Sequence, residues 1–297
     1  AATLLADGAA RVEAELATEP RIAAELYAAL SRAWLALDRY DEAERLAQRS
    51  LELARASAGD DSILAATSQA LAGEIATARE DLPAGERELR AALARLAGGA
   101  NGAGAAGGRQ RLAAARAAAA LGRNLNAQRR HAEALALSEE AYTVLARELG
   151  PGDREAVRAL LAASQAFRFS DRAAEAAVRI AGARELLERS PAVNPVTRAL
   201  LEVERAHVEL HLRHPAAALA AAETALASLA ETLGPDSAAR ASALQARALA
   251  RMQGGDFGGA QSDLEAAIAV LRALDRDYPR LASVQIDFAL VLEHRGR

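Results

Sequence analysis

A recurrence at 42 residues constrains this chain more than any other feature, because a fixed period of twenty to fifty residues is the mark of a repeat architecture. Ala43, Gly85, Ala134, Ala176, Ala218 and Ala260 stand 42, 49, 42, 42 and 42 residues apart. The one long interval contains Gly98 to Gly108, read as GGANGAGAAGG, whose composition predicts a flexible insertion between repeats. Each small residue opens an apolar stripe at i, i+4, i+7 and i+8, one face of an α-helix. Examples are Ala43/Ala47/Ser50/Leu51 and Ala260/Leu264/Ala267/Ile268, while the fourth stripe breaks at Arg184.

Ahead of each stripe lies a second amphipathic segment, clearest as Tyr27/Leu30/Trp34/Leu37 and Leu160/Ala163/Phe167. The unit is therefore a helical hairpin, which cannot bury its apolar face alone and must stack on neighbours. Leu149-Gly150-Pro151-Gly152-Asp153 and Leu233-Gly234-Pro235-Asp236-Ser237 punctuate the stack two periods apart. Glycine there supplies a left-handed cap, proline stops the helix, and Asp or Ser caps the next one. Counting back from Ala43 places Ala1, Leu5, Ala9, Val12 and Leu16 on a second-helix stripe, and a last helix is expected near Ser283 to Arg295. The expected fold is all-α: a right-handed solenoid of antiparallel helix pairs, about six repeats plus partial repeats at both ends. It spans residues 1–297 as a single superhelical domain, interrupted by the insertion at 98–108.

Composition agrees, since the 52% hydrophobic fraction is mostly Ala and Leu and aromatics make up only 3%. The net charge of −4 argues against a phosphate-backbone binder, although all 36 basic residues are Arg. Cysteine is absent, which excludes disulfides and thiolate chemistry and suits a reducing, cytoplasmic setting. No apolar run is long enough to span a membrane, so neither nucleic acid nor a bilayer is an expected partner.

Tyr27, Leu30, Ser31, Trp34, Leu37, Tyr40 and Ala43 together resemble the tetratricopeptide repeat, an aromatic followed by Leu, a small residue, an aromatic, a turn, an aromatic and Ala. The 42-residue spacing and Leu-Gly-Pro linkers are similar to the long-helix subtype of kinesin light chains. More narrowly, Leu4 to Leu16, Glu19-Pro20 and the Asp38 to Ala43 turn resemble the repeat region that follows the kinase domain in bacterial serine/threonine kinases. The signature weakens in the fifth and sixth repeats, where Arg205, Glu209, Arg247 and Arg251 fall near apolar places.

The resemblance implies a non-catalytic scaffold that binds proteins or peptides on the concave wall of its first helices. By position, that wall carries Arg32, Arg116, Arg123, Asn126, Arg158, Gln165 and Arg168. Arg116/Arg123 and Arg158/Gln165 are seven apart and share a face. Guanidinium groups take carboxylate or phosphate in paired hydrogen bonds, so an acidic or phosphorylated peptide is the expected ligand. Self-association through the end repeats is the alternative.

Other motifs carry less. His207-Val-Glu209-Leu-His211 is not the H-E-x-x-H order of a zinc hydrolase, and a polar stripe is the simpler reading. Asp256-Phe257-Gly258 spells the magnesium tripeptide of kinases but sits at a repeat turn, with no Lys in the chain. No catalytic residue, metal or cofactor is expected.

Overall fold

The computed structural model describes residues 2–59, 62–97, 105–188, 195–230, 237–274 and 280–296. Among them are fourteen helices: α1 (Ala2–Glu15), α2 (Pro20–Ala36), α3 (Tyr40–Ala58), α4 (Ile63–Ala78), α5 (Leu82–Ala97), α6 (Ala105–Ala127), α7 (His131–Leu149), α8 (Arg154–Phe169), α9 (Ala173–Glu188), α10 (Pro195–His211), α11 (Pro215–Ala230), α12 (Ala238–Gln253), α13 (Phe257–Leu274) and α14 (Leu281–His294). The chain forms two compact units, Ala1–Glu148 and Leu149–Arg297. In both, even-numbered helices are the first members of hairpins and odd-numbered ones the second, as in a helical-repeat solenoid. No helix among the described residues is long and apolar enough to cross a membrane.

All six small residues that set the period are buried, and each is the fourth residue of a second helix. Their close contact comes from another small column, twelve residues earlier on the first helix: Ser31, Gly73, Gly122, Ser164, Ala206 and Ala248, all buried. Ser31 Oγ donates to the Ala43 carbonyl at 2.7 Å, and a Cβ on Gly73 would stand 3.0 Å from the Gly85 carbonyl oxygen. Helices drawn this close need little side-chain volume between them, which explains how an Ala-rich chain with few aromatics fills its interior. In the first unit Tyr27, Trp34, Leu46, Leu71 and Ile75 complete one cluster; in the second, Leu210, Leu229 and the alanines of α10, α11 and α12 form another.

The turn inside each hairpin also repeats. Five residues before each small residue the backbone is left-handed, at Asp38, Glu80, Arg129, Asp171, Arg213 and Gly255. The two following bonds, such as Asp38 N–H to Leu35 O and Arg39 N–H to Trp34 O, close a Schellman cap. Between hairpins the first expected linker is present, with φ +97° at Gly150 and Asp153 Oδ1 accepting from Glu155 N–H; of the second, Ser237 Oγ accepts from Arg240 N–H, while Leu233 to Asp236 lie outside the described residues. Of the glycine-rich insertion, 98–104 lie outside the described residues. Ala105 to Gly108 form the first turn of α6, because a first turn needs no intrahelical N–H partner and tolerates glycine.

First helices also pack on one another, α2 on α4 and α4 on α6 in the first unit, and α8 on α10, α10 on α12 and α12 on α14 in the second. Each unit thus presents a continuous wall of first helices. In the first unit, polar ties back that wall. Asn124 Nδ2 donates to Thr77 Oγ1 and the Leu82 carbonyl, while Glu86 accepts from Gln128, Arg90 and Arg130. These donors, Gln128 foremost, hold the Glu86 carboxyl down at about 2.

Candidate wall of first helices

The seven expected wall residues fall into three columns, counted back from the small residue of their own repeat. Arg116 and Arg158 stand eighteen before it, Arg32, Arg123 and Gln165 eleven, and Asn126 and Arg168 eight. Those spacings share one helix face, so the solenoid does place them along the first helices. Arg32, Arg116, Arg123 and Asn126 belong to the first unit; Arg158, Gln165 and Arg168 belong to the second.

Their surroundings differ. Arg32 is exposed on α2, and Arg116, Arg158 and Gln165 are half-buried on α6 and α8. Arg123 reaches across to α4 and pairs with Glu74 at 2.9 Å. Glu74 occupies the same place in its own repeat as Arg123, eleven before Gly85, so aligning the columns would have found this pair. Asn126 is 3% exposed and its Oδ1 meets His131 Nδ1 at 3.2 Å, bracing the start of α7. Arg168, also buried, sends Nε to Glu204 Oε1 at 3.3 Å, and Ser164 Oγ bonds the same oxygen at 3.1 Å. Burial pushes the Glu204 carboxyl up, against the pull of Arg168 and Ser164.

Around this pair the second unit gathers groups that sequence reasoning did not assign to the wall. The Arg168 guanidinium lies 4.3 Å from the centre of the Phe169 ring, and Phe169 meets His211 edge-on at 5.9 Å. Phe169 is 48% exposed, which is unusual in a chain with four Phe. Seven before the small residue, the first three repeats carry Ala36, Ala78 and Ala127, whereas the next two carry Phe169 and His211. That enlargement is a column signal, and it marks the second unit's wall as chemically distinct.

His207, Glu209 and His211 do not converge. Glu209 Oε2 bonds His214 Nδ1 at 3.0 Å, and His211 Nδ1 donates to the His207 carbonyl at 3.0 Å. No group of three His, Cys, Asp or Glu among the described residues is placed to hold a metal ion. Asp256-Phe257-Gly258 has a local role: Asp256 Oδ1 caps α13 through Gly259 N–H, and Phe257 stacks on His294 with centroids 5.1 Å apart.

A family profile described as Tetratricopeptide repeat matches residues 23–64 and 114–155, the first and third hairpins. The crystal structure of BtubC (BKLC) from P. vanneervenii is similar over 81% of this chain and 92% of that one, with TM-score 0.58 and 18% identity. Nro1, described as a hypoxic regulator of sterol synthesis and a nuclear import adaptor, aligns over 95% of this chain and 98% of its own, with TM-score 0.47 and 14% identity. No curated protein matches the chain. At these identities the likeness to BtubC is one of fold.

Proposed function

We propose that this chain is a non-catalytic scaffold that holds a partner protein, as an extended or helical acidic or phosphorylated peptide, along its walls of first helices. The observation that carries the reading is that Arg32 and Arg116 in the first unit, and Arg158 and Gln165 in the second, are exposed or half-buried on first helices of an otherwise acidic chain. The tetratricopeptide match supports it, since such stacked hairpins offer extended binding surfaces. Arg123 and Arg168 contribute differently from the other arginines, because Glu74 and Glu204 already neutralise them. They orient the wall, and Arg32 and Arg116 meet the ligand.

The test is an array of acidic, phosphorylated and neutral peptides probed with the protein and with an Arg116→Ala/Arg158→Ala variant whose helicity is checked by circular dichroism. Acidic or phosphorylated peptides are expected to bind best, weakening with salt, and the double variant to lose about tenfold in affinity. Binding that ignores charge, or an unchanged double variant, would sink the assignment. On the resemblance of Leu4 to Leu16 and the Asp38 to Ala43 turn, we place the scaffold in the cytoplasmic sensory or docking region of a larger bacterial signalling protein such as a serine/threonine kinase. The complete reading frame tests that placement.

A second reading, self-association through the end repeats, rests on Leu4 at 75% exposure on α1 and Ile286 and Leu290 at 63% and 42% on α14. It predicts a sedimentation coefficient that rises with protein concentration and falls back on Ile286→Ser/Leu290→Ser substitution; a concentration-independent monomer would dismiss it.

A further inference from the structure

Helix α6, in the first unit, is basic. Its 23 residues include Arg109, Arg111, Arg116 and Arg123 and no acidic residue, in a chain whose net charge is −4. Arg109, Arg116 and Arg123 stand seven apart, so two helical turns separate each from the next and all three share the wall face of the helix. Arg123 is tied to Glu74 of α4 at 2.9 Å. The other two are not compensated in this way: Arg109 is exposed, Arg116 is half-buried, and neither makes a hydrogen bond or an ion pair with a described residue. Between them on the same face lie Leu112 and Ala113, both half-buried. The stripe therefore runs cation, apolar middle, cation, and the next arginine along it is already neutralised.

The spacing of the two open charges selects the backbone of what they can hold. Seven residues of α-helix rise about 10 Å. On a partner helix, carboxylates seven residues apart also lie about 10 Å apart on one face, and the residues three and four after the first face the Leu112/Ala113 patch. An extended strand alternates faces and rises about 3.3 Å per residue, so its same-face carboxylates fall about 7 or 13 Å apart and fit the pair less well. We propose that Arg109 and Arg116 hold a partner helix lying along α6, acidic at two positions seven residues apart and apolar between them. The inference rests on the acidic-peptide reading above; it adds Arg109 to the wall and decides for a helical over an extended ligand on α6. Each guanidinium takes one carboxylate in two parallel hydrogen bonds, and the apolar contact between them fixes the alignment. A third carboxylate seven residues further toward Arg123 meets the Arg123–Glu74 pair and adds little.

The experiment offers the full chain three alanine-rich peptides of about twenty residues, long enough to form helix in water. One carries two glutamates seven apart with leucine between them. The second has the same composition with the glutamates five apart, on different faces, and the third keeps the first spacing but is broken by a central proline. The first peptide is expected to bind about tenfold tighter than the other two and to weaken with salt. Arg109→Gln and Arg116→Gln should each erase that preference while circular dichroism stays unchanged, because both side chains reach solvent. Equal binding of the three peptides, or a preference for the first that survives in Arg109→Gln, overturns the helical subsite and leaves the acidic-peptide reading standing. Binding of polyglutamate without binding of the first peptide does the same. Absence of binding by all three and by polyglutamate overturns both.

Discussion

Gly73→Leu is expected to destabilise the first unit by about 3 kcal/mol or more, the upper end of what overpacking costs in a well-packed core. A Cβ at Gly73 would lie 2.7 Å from Leu89 Cγ, 3.0 Å from the Gly85 carbonyl oxygen and 3.1 Å from Leu89 N. Two of these three atoms are backbone of α5, so no change of rotamer relieves the clash and the α4/α5 hairpin must open. Gly182→Ala is the matched opposite. That glycine is exposed within α9 with nothing within 4 Å of its Cβ, so alanine should stabilise the second unit by about 0.5–1 kcal/mol through helix propensity alone. Urea unfolding followed at Trp34, the single Trp, which is buried in the first unit, reads the first effect. Circular dichroism reads the second. A Trp34 transition that stays in place for Gly73→Leu would show that the small-residue column does not set hairpin spacing, and with it the spacing of the wall.

The recurrence of small residues was legible because volume leaves a trace in one dimension: all six positions that set the period are buried, and each second helix begins three residues earlier. The caps at Gly150, Asp153 and Ser237 were legible for the same local reason. The left-handed turns were not, because five of the six use Asp, Glu or Arg where glycine would announce them. Periodicity also says which face a residue shares, not what lies opposite it. Arg123 and Arg168 are on the expected helices, but their partners Glu74 and Glu204 are 49 and 36 residues away. The first pair lies within one column; the second joins two different columns and leaves no sequence signal. Asn126 illustrates the remaining gap, since a residue in a wall column can still turn inward to brace the next helix.

The arginines that blur the sixth repeat's signature lead to the other large expected effect: Asp263→Ala should cost the second unit about 3–5 kcal/mol, the usual result of removing one partner from a buried ion pair. Asp263 is 3% exposed on α13, three residues after Ala260, where the first repeat has Leu46. It accepts Nε and Nη2 of Arg247 at 2.9 and 2.5 Å and Nη1 of Arg251 at 2.7 Å, both from α12. Alanine would leave two guanidinium groups, each with 24% of its side chain exposed, against a helix interface, Arg247 without the carboxylate it grips twice and Arg251 with only Asp256 at 3.7 Å and the Gly259 carbonyl at 3.2 Å. Replacing all three by apolar residues, as Arg247→Leu/Arg251→Met/Asp263→Leu, should return most of the stability, because matched apolar surfaces avoid the desolvation that the ions incur. Comparing the single and triple variants by urea unfolding separates a lost partner from a lost contact. A single variant within about 1 kcal/mol of the unmodified protein would mean that water already serves both arginines. With the triad intact, Arg247 and Arg251 are committed to the α12/α13 contact.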